Sequence, residues 1–493
     1  MVNGESNTQG GDGSKQEKVK LAKSISTIGF FGLGLSAVFG ASWLLTSGVW
    51  LARAGGPINA LVAFALCFVV ELPLILAYYE AVPMMPLAGG EMSYSYLTFG
   101  GFIGMLVGWF GVLVNIILCA WEALAISRLL SYLFPAINTT GILYEVLGSP
   151  ITIGAILIGL ALIAVVLLIQ YRGAKLSARF GTIITFTVTG IALICAIIGV
   201  FNFNPQNMEP LQTKDTLTGS LGLLAMLPFS VAGWETVAKG AQEASEGVSH
   251  KKIGLMLILA VAVAIVMYII TMIVPTGLVP WQDLTAETAP FAYAMTKIGL
   301  PILGVLLVVA AFFGVIGVYN AVFFGATRML YMMGDIGLMP KTFAKLHPKY
   351  KTPVNAIIFV SLISCIILFL GQAMFVPLID VSAVAYIVLW GSTLAAVLRA
   401  RKLYPDMKRP AKYPGGKPLM YIGLVLAGIL LVLMLFPLTP ASLQWPVEYI
   451  LLAVLIILGI VLYAARDKSI PKGTNHARLM AEIEEELKSD QSV

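Results

Sequence analysis

The chain is a succession of apolar runs, each about as long as a bilayer is thick. About 20 residues of helix cross the roughly 30 Å hydrocarbon core, and every backbone polar group in that layer must be satisfied within the protein. Runs of that length, ended by charges or turn residues, lie at 27–51, 57–79, 102–127, 149–170, 178–201, 219–242, 253–279, 299–327, 354–372, 376–398, 418–437 and 444–464. They predict an all-α polytopic membrane protein with about twelve transmembrane helices, numbered here as spans 1 to 12. Composition agrees, since 59% of the 493 residues are hydrophobic and 11% charged, where soluble domains carry about a quarter charged. One soluble core could not hide that much apolar surface.

The formal charge of +6 raises the question of an acidic partner such as nucleic acid. Its distribution answers it. With a cytoplasmic N-terminus, 27 of the 31 Lys and Arg residues fall on the cytoplasmic side, and Arg53, Arg128, Lys214 and Lys297 fall outside. This is the positive-inside pattern, which places both termini in the cytoplasm and needs no nucleic acid. The four cysteines, Cys67, Cys119, Cys195 and Cys365, sit inside apolar runs without metal-ligand spacing, so neither disulfides nor zinc is indicated. Residues 1–24 lack a cleavable leader pattern and read as a disordered tail. Residues 466–493 read as a second cytoplasmic tail with a short surface helix over 477–488, both tails being solvent-exposed.

Two spans carry interruptions. Span 1 has Gly29, Gly32 and Gly34, then the small-residue stretch Ser36-Ala-Val-Phe-Gly-Ala-Ser42 at mid-depth; span 6 has Pro228, then Phe229-Ser-Val-Ala-Gly233-Trp234-Glu235. Proline removes a helical N–H and glycine loosens the backbone. Unwound backbone is tolerated in a membrane only where it lines protein or a water-filled cavity. Interruptions five spans apart are what a five-plus-five inverted repeat predicts, with the solute held between two broken helices. Residues 25–400 then form the transport core, and residues 401–465 carry spans 11 and 12.

Particular stretches carry a resemblance. Ala81 to Tyr96 reads AVPMMPLAGGEMSYSY, similar to the P-x-x-G-G-x-Y-x-Y segment that follows the second helix of amino acid permeases. Arg328 to Ala356, RMLYMMGDIGLMPKTFAKLHPKYKTPVNA, resembles the family's stretch after the eighth helix, and the YRGAKLSAR loop at 171–179 adds to it. Gly233-Trp234-Glu235 followed by Gln242-Glu243 resembles the family's G-x-E pattern. The resemblance is to the amino acid/polyamine/organocation superfamily and covers about residues 25–465. It implies the leucine-transporter-like fold with spans 1 and 6 broken, and alternating access. The departure is at the end of span 1, where Gly40-Ala41-Ser42-Trp43 replaces the usual G-x-G-I-F.

The free N–H groups of a broken helix make the backbone at Ala37, Phe39, Gly40, Ala41 and Ser42 a cradle for an anionic group. Carbonyls freed at Phe229, Ser230 and Ala232 would accept from an amine, with Trp234 or Phe229 lying over it. Acidic residues inside a bilayer are costly and are candidates for function; Glu71, Glu122 and Glu235 qualify, Glu71 reading equally well as a protonated helix-helix hydrogen bond. Resemblance places Glu122 near a solute-contacting position and Glu235 where the family's exchangers gate or recognise an amine. Cys119 in span 3 and Tyr319 in span 8 complete the candidate set.

Sodium-coupled members of this fold hold the ion with span 1 backbone and two hydroxyls of span 8, but Ile302 to Ala326 contains no Ser or Thr, only Tyr319. The lysine that some relatives place in span 5 is also lacking, its position falling near Thr187 to Thr189. By elimination the expectation is sodium-independent exchange of amino acids or amines, with glutamate-based proton coupling as the alternative and a non-transporting sensor further off. No cluster of nucleophile, base or metal ligands suggests an enzyme or a cofactor. The partners expected are a small amine-bearing solute and the lipid bilayer of a cell membrane.

Overall fold

The computed structural model describes residues 21–437, 439, 442–466 and 474–489; the expected disordered tail lies, but for its last four residues, outside them. Among the described residues ten helices are long and apolar enough to cross a membrane. They fall on spans 1 to 5, 7, 8 and 10 to 12. Span 9 is the shorter apolar helix Val354–Leu368. Span 6 is broken into helices Thr216–Leu224, Leu227–Ser230 and Thr236–Lys239. The break is where Pro228 and Gly233 stand, Gly233 at φ +105°, a backbone region that residues with a Cβ rarely enter.

Span 1 breaks as well. Its first helix, Thr27–Val38, ends at Phe39 (φ −91°, ψ 76°), and helix resumes at Ser42. The first helix starts cleanly because the Ser26 side chain accepts from the Gly29 N–H, satisfying one of the orphan donors of a helix N-terminus.

Span 3, Gly101–Ser131, is the buried pillar of the bundle, 83% of its apolar window being enclosed by protein. Span 12, Val447–Ala464, has only 11% of its window enclosed. Its exposed Ile450, Val454, Ile457 and Val461 form a stripe at helical spacing, a surface stable against lipid and not against water. One element is not foreseen by the apolar pattern, an antiparallel hairpin of Ile142–Val146 with Ser149–Thr152. Its two-residue turn, Leu147-Gly148, has φ of 48° and 76°, as the preferred hairpin turn requires.

The end of the chain departs from expectation. Helix Thr474–Ser489 is docked on the bundle, not solvated, with Leu479, Ile483 and Leu487 buried. Arg478 pairs with Asp335 at 2.6 Å, and Asn475 donates to the Ile336 carbonyl at 2.9 Å. Lys23 meets Glu486 at 2.7 Å. The first and last described segments are therefore in contact with each other.

Candidate functional site

The two interruptions meet. A Cβ added at Gly233 would collide with the carbonyl of Ala37, so only glycine lets the span 6 break lie directly on the span 1 break. Span 8 closes the other side. A Cβ on Gly314 would strike the Gly40 carbonyl, and one on Gly317 would come within 2.7 Å of Ser36 Oγ.

Between the breaks stands Tyr268 of span 7. Its hydroxyl lies 2.6 Å from the Val38 carbonyl, 2.8 Å from the Ser230 carbonyl and 2.8 Å from Ser42 Oγ. A phenol has one proton, so it donates to one carbonyl at a time while accepting from Ser42. This residue ties both unwound segments together, and nothing in its apolar run distinguishes it in the sequence. Tyr268→Phe is expected to remove the phenol donor that the Val38 and Ser230 carbonyls share, the Val38 carbonyl keeping the Gly40 N–H at 3.1 Å, at about 1–3 kcal/mol where a carbonyl is left unpaired; a lowered thermal midpoint together with slowed solute exchange is the expected readout.

The remaining candidates are all buried. Phe39 stacks on Trp43 with centroids 5.5 Å apart and meets Tyr268 edge-on. Trp43 Nε1 donates to the Gly40 carbonyl at 2.7 Å, which folds the bulky indole back onto the break. Ala41 and Ala232 are enclosed as well. Phe229 is packed edge-on against Trp121 at 5.5 Å. Trp234 goes elsewhere, lying 4.8 Å from Tyr78 and stacked on Trp390 at 5.1 Å. Tyr319 stacks on Phe323 in span 8, and the Cys119 thiol approaches the Tyr319 carbonyl at 3.9 Å.

The acidic candidates separate by environment. Glu122 aims at the span 1 break: a Cβ on Gly40 would be 3.1 Å from its Oε1, and its Oε2 is buried without a hydrogen-bond partner. Glu71 accepts from the Cys67 thiol at 3.1 Å, and its second oxygen has no partner. Glu235 is different. Lys239 Nζ lies 2.9 Å from Glu235 Oε1 with both side chains fully buried, so this acid of span 6 carries its own counter-charge. The other oxygen, Oε2, accepts from the Gly233 N–H at 3.0 Å. Lys239 is thus not a loop cation.

In span 5, Thr187 is exposed, whereas Thr185 donates to the Gly32 carbonyl at 3.4 Å. The hydroxyl facing span 1 therefore sits two residues before the expected position. Below it, the Gln170 amide donates to the Asn320 carbonyl and side chain at 2.6 and 2.9 Å. Ser177, at the start of the span 5 helix, accepts from the same amide at 3.1 Å and donates to Asn320 Oδ1 at 3.1 Å, so the network joins spans 4, 5 and 8.

Two broken helices meet beside a buried carboxyl in a polytopic membrane protein. Residues 25–462 match the amino acid permease family, and the chain belongs to that family. It is similar to the methylthioribose transporter of Bacillus subtilis, 27% identical over 411 residues that cover 81% of this chain and 86% of that one. The branched-chain amino acid permease BcaP of the same organism is 24% identical over 445 residues, 87% and 90% of the two chains. Its glutamate/serine transporter AimA is 26% identical over 435 residues, 85% and 79%. These relatives are permeases and transporters, not enzymes.

Proposed function

We propose that this protein is a secondary transporter of amine-bearing solutes, amino acids or their decarboxylated amines, working by alternating access through sodium-independent exchange. The observation that carries the reading is Glu122, a buried carboxyl beside the span 1 break with an oxygen lacking any partner. A buried carboxylate must be paired or protonated, and a substrate ammonium supplies the pair. The relatives named above carry cargoes from a thiosugar to branched-chain and acidic amino acids, so cargo rests on the site and not on kinship. The Ala37 to Ser42 backbone is the proposed cradle for a carboxylate, and Ser230 and Ala232 offer carbonyls to the amine. Five-plus-five repeat symmetry, twelve crossings and cytoplasmic termini belong to the same proposal.

Sodium independence is supported by span 8. Where a sodium site needs hydroxyls, Gly314, Gly317 and Val318 pack straight onto the span 1 backbone and Ser36. Purified protein screened by thermal shift against amino acids, amines and a thiopentose should be stabilised by an amine-bearing solute. In liposomes, labelled solute should then accumulate only when unlabelled solute is loaded inside, at a rate unchanged when sodium is replaced by a large organic cation. Steep sodium dependence contradicts the reading of span 8, and absence of counterflow contradicts transport. Cysteines introduced near Lys214 and Lys345 should label from opposite sides of the membrane.

A further inference from the structure

We propose that Glu91 is a proton-binding site, separate from the solute pocket, that is loaded when the segment 86–91 closes onto the Lys239 turn. The inference rests on the alternating-access reading and goes beyond it by naming where a proton binds. Glu91 opens helix Glu91–Phe99 and is fully buried. Its Oε1 accepts from the Tyr78 hydroxyl at 2.9 Å, and its Oε2 has no partner.

The segment before it is laid against the broken span. Gly89 N–H donates to the Lys239 carbonyl at 3.2 Å, and Ala88 N–H donates to the Gln242 side chain at 3.3 Å. Gly89 and Gly90 take φ of 80° and 47°, and a Cβ on Gly90 would be 3.3 Å from Lys239 N. This contact therefore joins the loop after span 2 to the part of span 6 that follows its break.

Within that contact two carboxyls, Glu91 and Glu235, share the neighbourhood of one lysine, and Lys239 is ion-paired with Glu235. The elements packed around this contact bring polar and acidic groups, and their arginines are held elsewhere. Span 2 brings Tyr78 and Glu71; the helix of Glu91 itself brings Tyr94; span 10 brings Tyr386. Span 3 brings Asn115, whose Oδ1 is buried without a partner, and span 6 adds Thr236, whose Oγ1 is likewise unpartnered. Span 8 contributes Gly325 against Thr236 and Lys239, its Arg328 being held by Glu243. At the far end of the helix Arg399 lies over Phe99 and Arg401 holds Glu80. With the nearest lysine committed, the charge missing at Glu91 is a proton.

Burial pushes the Glu91 carboxyl up to about 7, with Lys239 pulling it down and Glu235 pushing it further up. Opened to water it returns toward its ordinary 4.5. The closed form then binds more protons than the open one, so closure loses stability as pH rises from about 4.5 to about 7 and levels off above.

The test is the thermal midpoint of the full-length protein in detergent, followed between about pH 5 and pH 8 for the parent, Glu91→Gln and Tyr78→Phe. Glu91→Gln imitates the protonated carboxyl. The parent midpoint should fall with pH by about 2 °C or more relative to Glu91→Gln, and Tyr78→Phe, which removes a donor to the carboxylate, should move that fall to higher pH. Parallel profiles for parent and Glu91→Gln overturn the site. Should Glu91→Gln not fold, Tyr78→Phe decides, and an unmoved fall overturns it. Counterflow on the same preparations separates the two readings. Divergent melting profiles without counterflow keep the proton site and reject transport, whereas parallel profiles with counterflow do the reverse.

Discussion

Glu122→Gln is expected to weaken binding and exchange of the preferred amine by roughly tenfold to a hundredfold, the about 1.5–3 kcal/mol carried by a hydrogen bond to a charged group. The amide has nearly the shape of the carboxyl, so packing against Gly40 is kept and the effect isolates charge. Stability should move the other way. The native carboxyl is buried with an unpartnered Oε2, and replacing a group that must take up a proton to stay buried unpaired with a neutral amide leaves the thermal midpoint of the ligand-free protein unchanged or raised. Loss of exchange with retained or higher stability is the signature of a residue kept for function at the expense of the fold. Isothermal titration with amines, zwitterions and an acidic amino acid checks this. Undiminished amine binding in Glu122→Gln, or a preferred solute that is an anion, removes Glu122 from the recognition role while leaving membership of the permease family untouched.

The parts of this architecture that depend on one residue type at one depth are legible in the sequence. Apolar length alone marks the spans, because hydrocarbon thickness fixes how many helical residues are needed. Pro228, Gly233 and the small residues from Ser36 to Ser42 mark both breaks, because their backbone effects are local. Contacts made by tertiary placement are not legible. Tyr268 sits in an apolar run where a tyrosine reads as ordinary core, and only the fold puts its hydroxyl between Val38 and Ser230. Lys239 reads as a loop cation if span 6 is taken as a straight helix to residue 242. The chain instead makes short turns after Gly233, which keeps Lys239 inside the protein beside Glu235. The spacing of four between them was a usable signal. Leu479, Ile483 and Leu487 likewise announce an amphipathic helix, but the surface it covers belongs to the fold.

The largest stability effect is expected at the ion pair that holds the post-break part of span 6 to span 8. Arg328 donates to both oxygens of Glu243, at 2.7 and 3.3 Å, and lies over the Phe324 ring at 3.9 Å. Both side chains are enclosed. The Glu243 carbonyl also accepts from the N–H groups of Ser24 and Ile25 at 2.8 and 2.9 Å, so the segment entering span 1 is fastened to the same residue. Glu243→Ala leaves a buried guanidinium that keeps the Thr327 hydroxyl as an acceptor, at 3.1 Å, and has lost its counter-charge. Breaking one side of a buried pair costs about 3–5 kcal/mol, a large share of the about 5–15 kcal/mol by which a typical native protein exceeds its unfolded state. Glu243→Ala and Arg328→Ala should each lower the thermal midpoint sharply and reduce the yield of monodisperse protein. The double variant Arg328→Met, Glu243→Leu should recover most of the loss, since an apolar pair of similar volume carries no desolvation penalty. Mild single variants, or a double variant no more stable than either single, would show that the pair is not what fastens spans 1, 6 and 8 at this end. A rescued double variant allows a further separation. If it melts like the parent yet exchanges solute more slowly, the pair acts in the opening and closing of that end as well as in holding it.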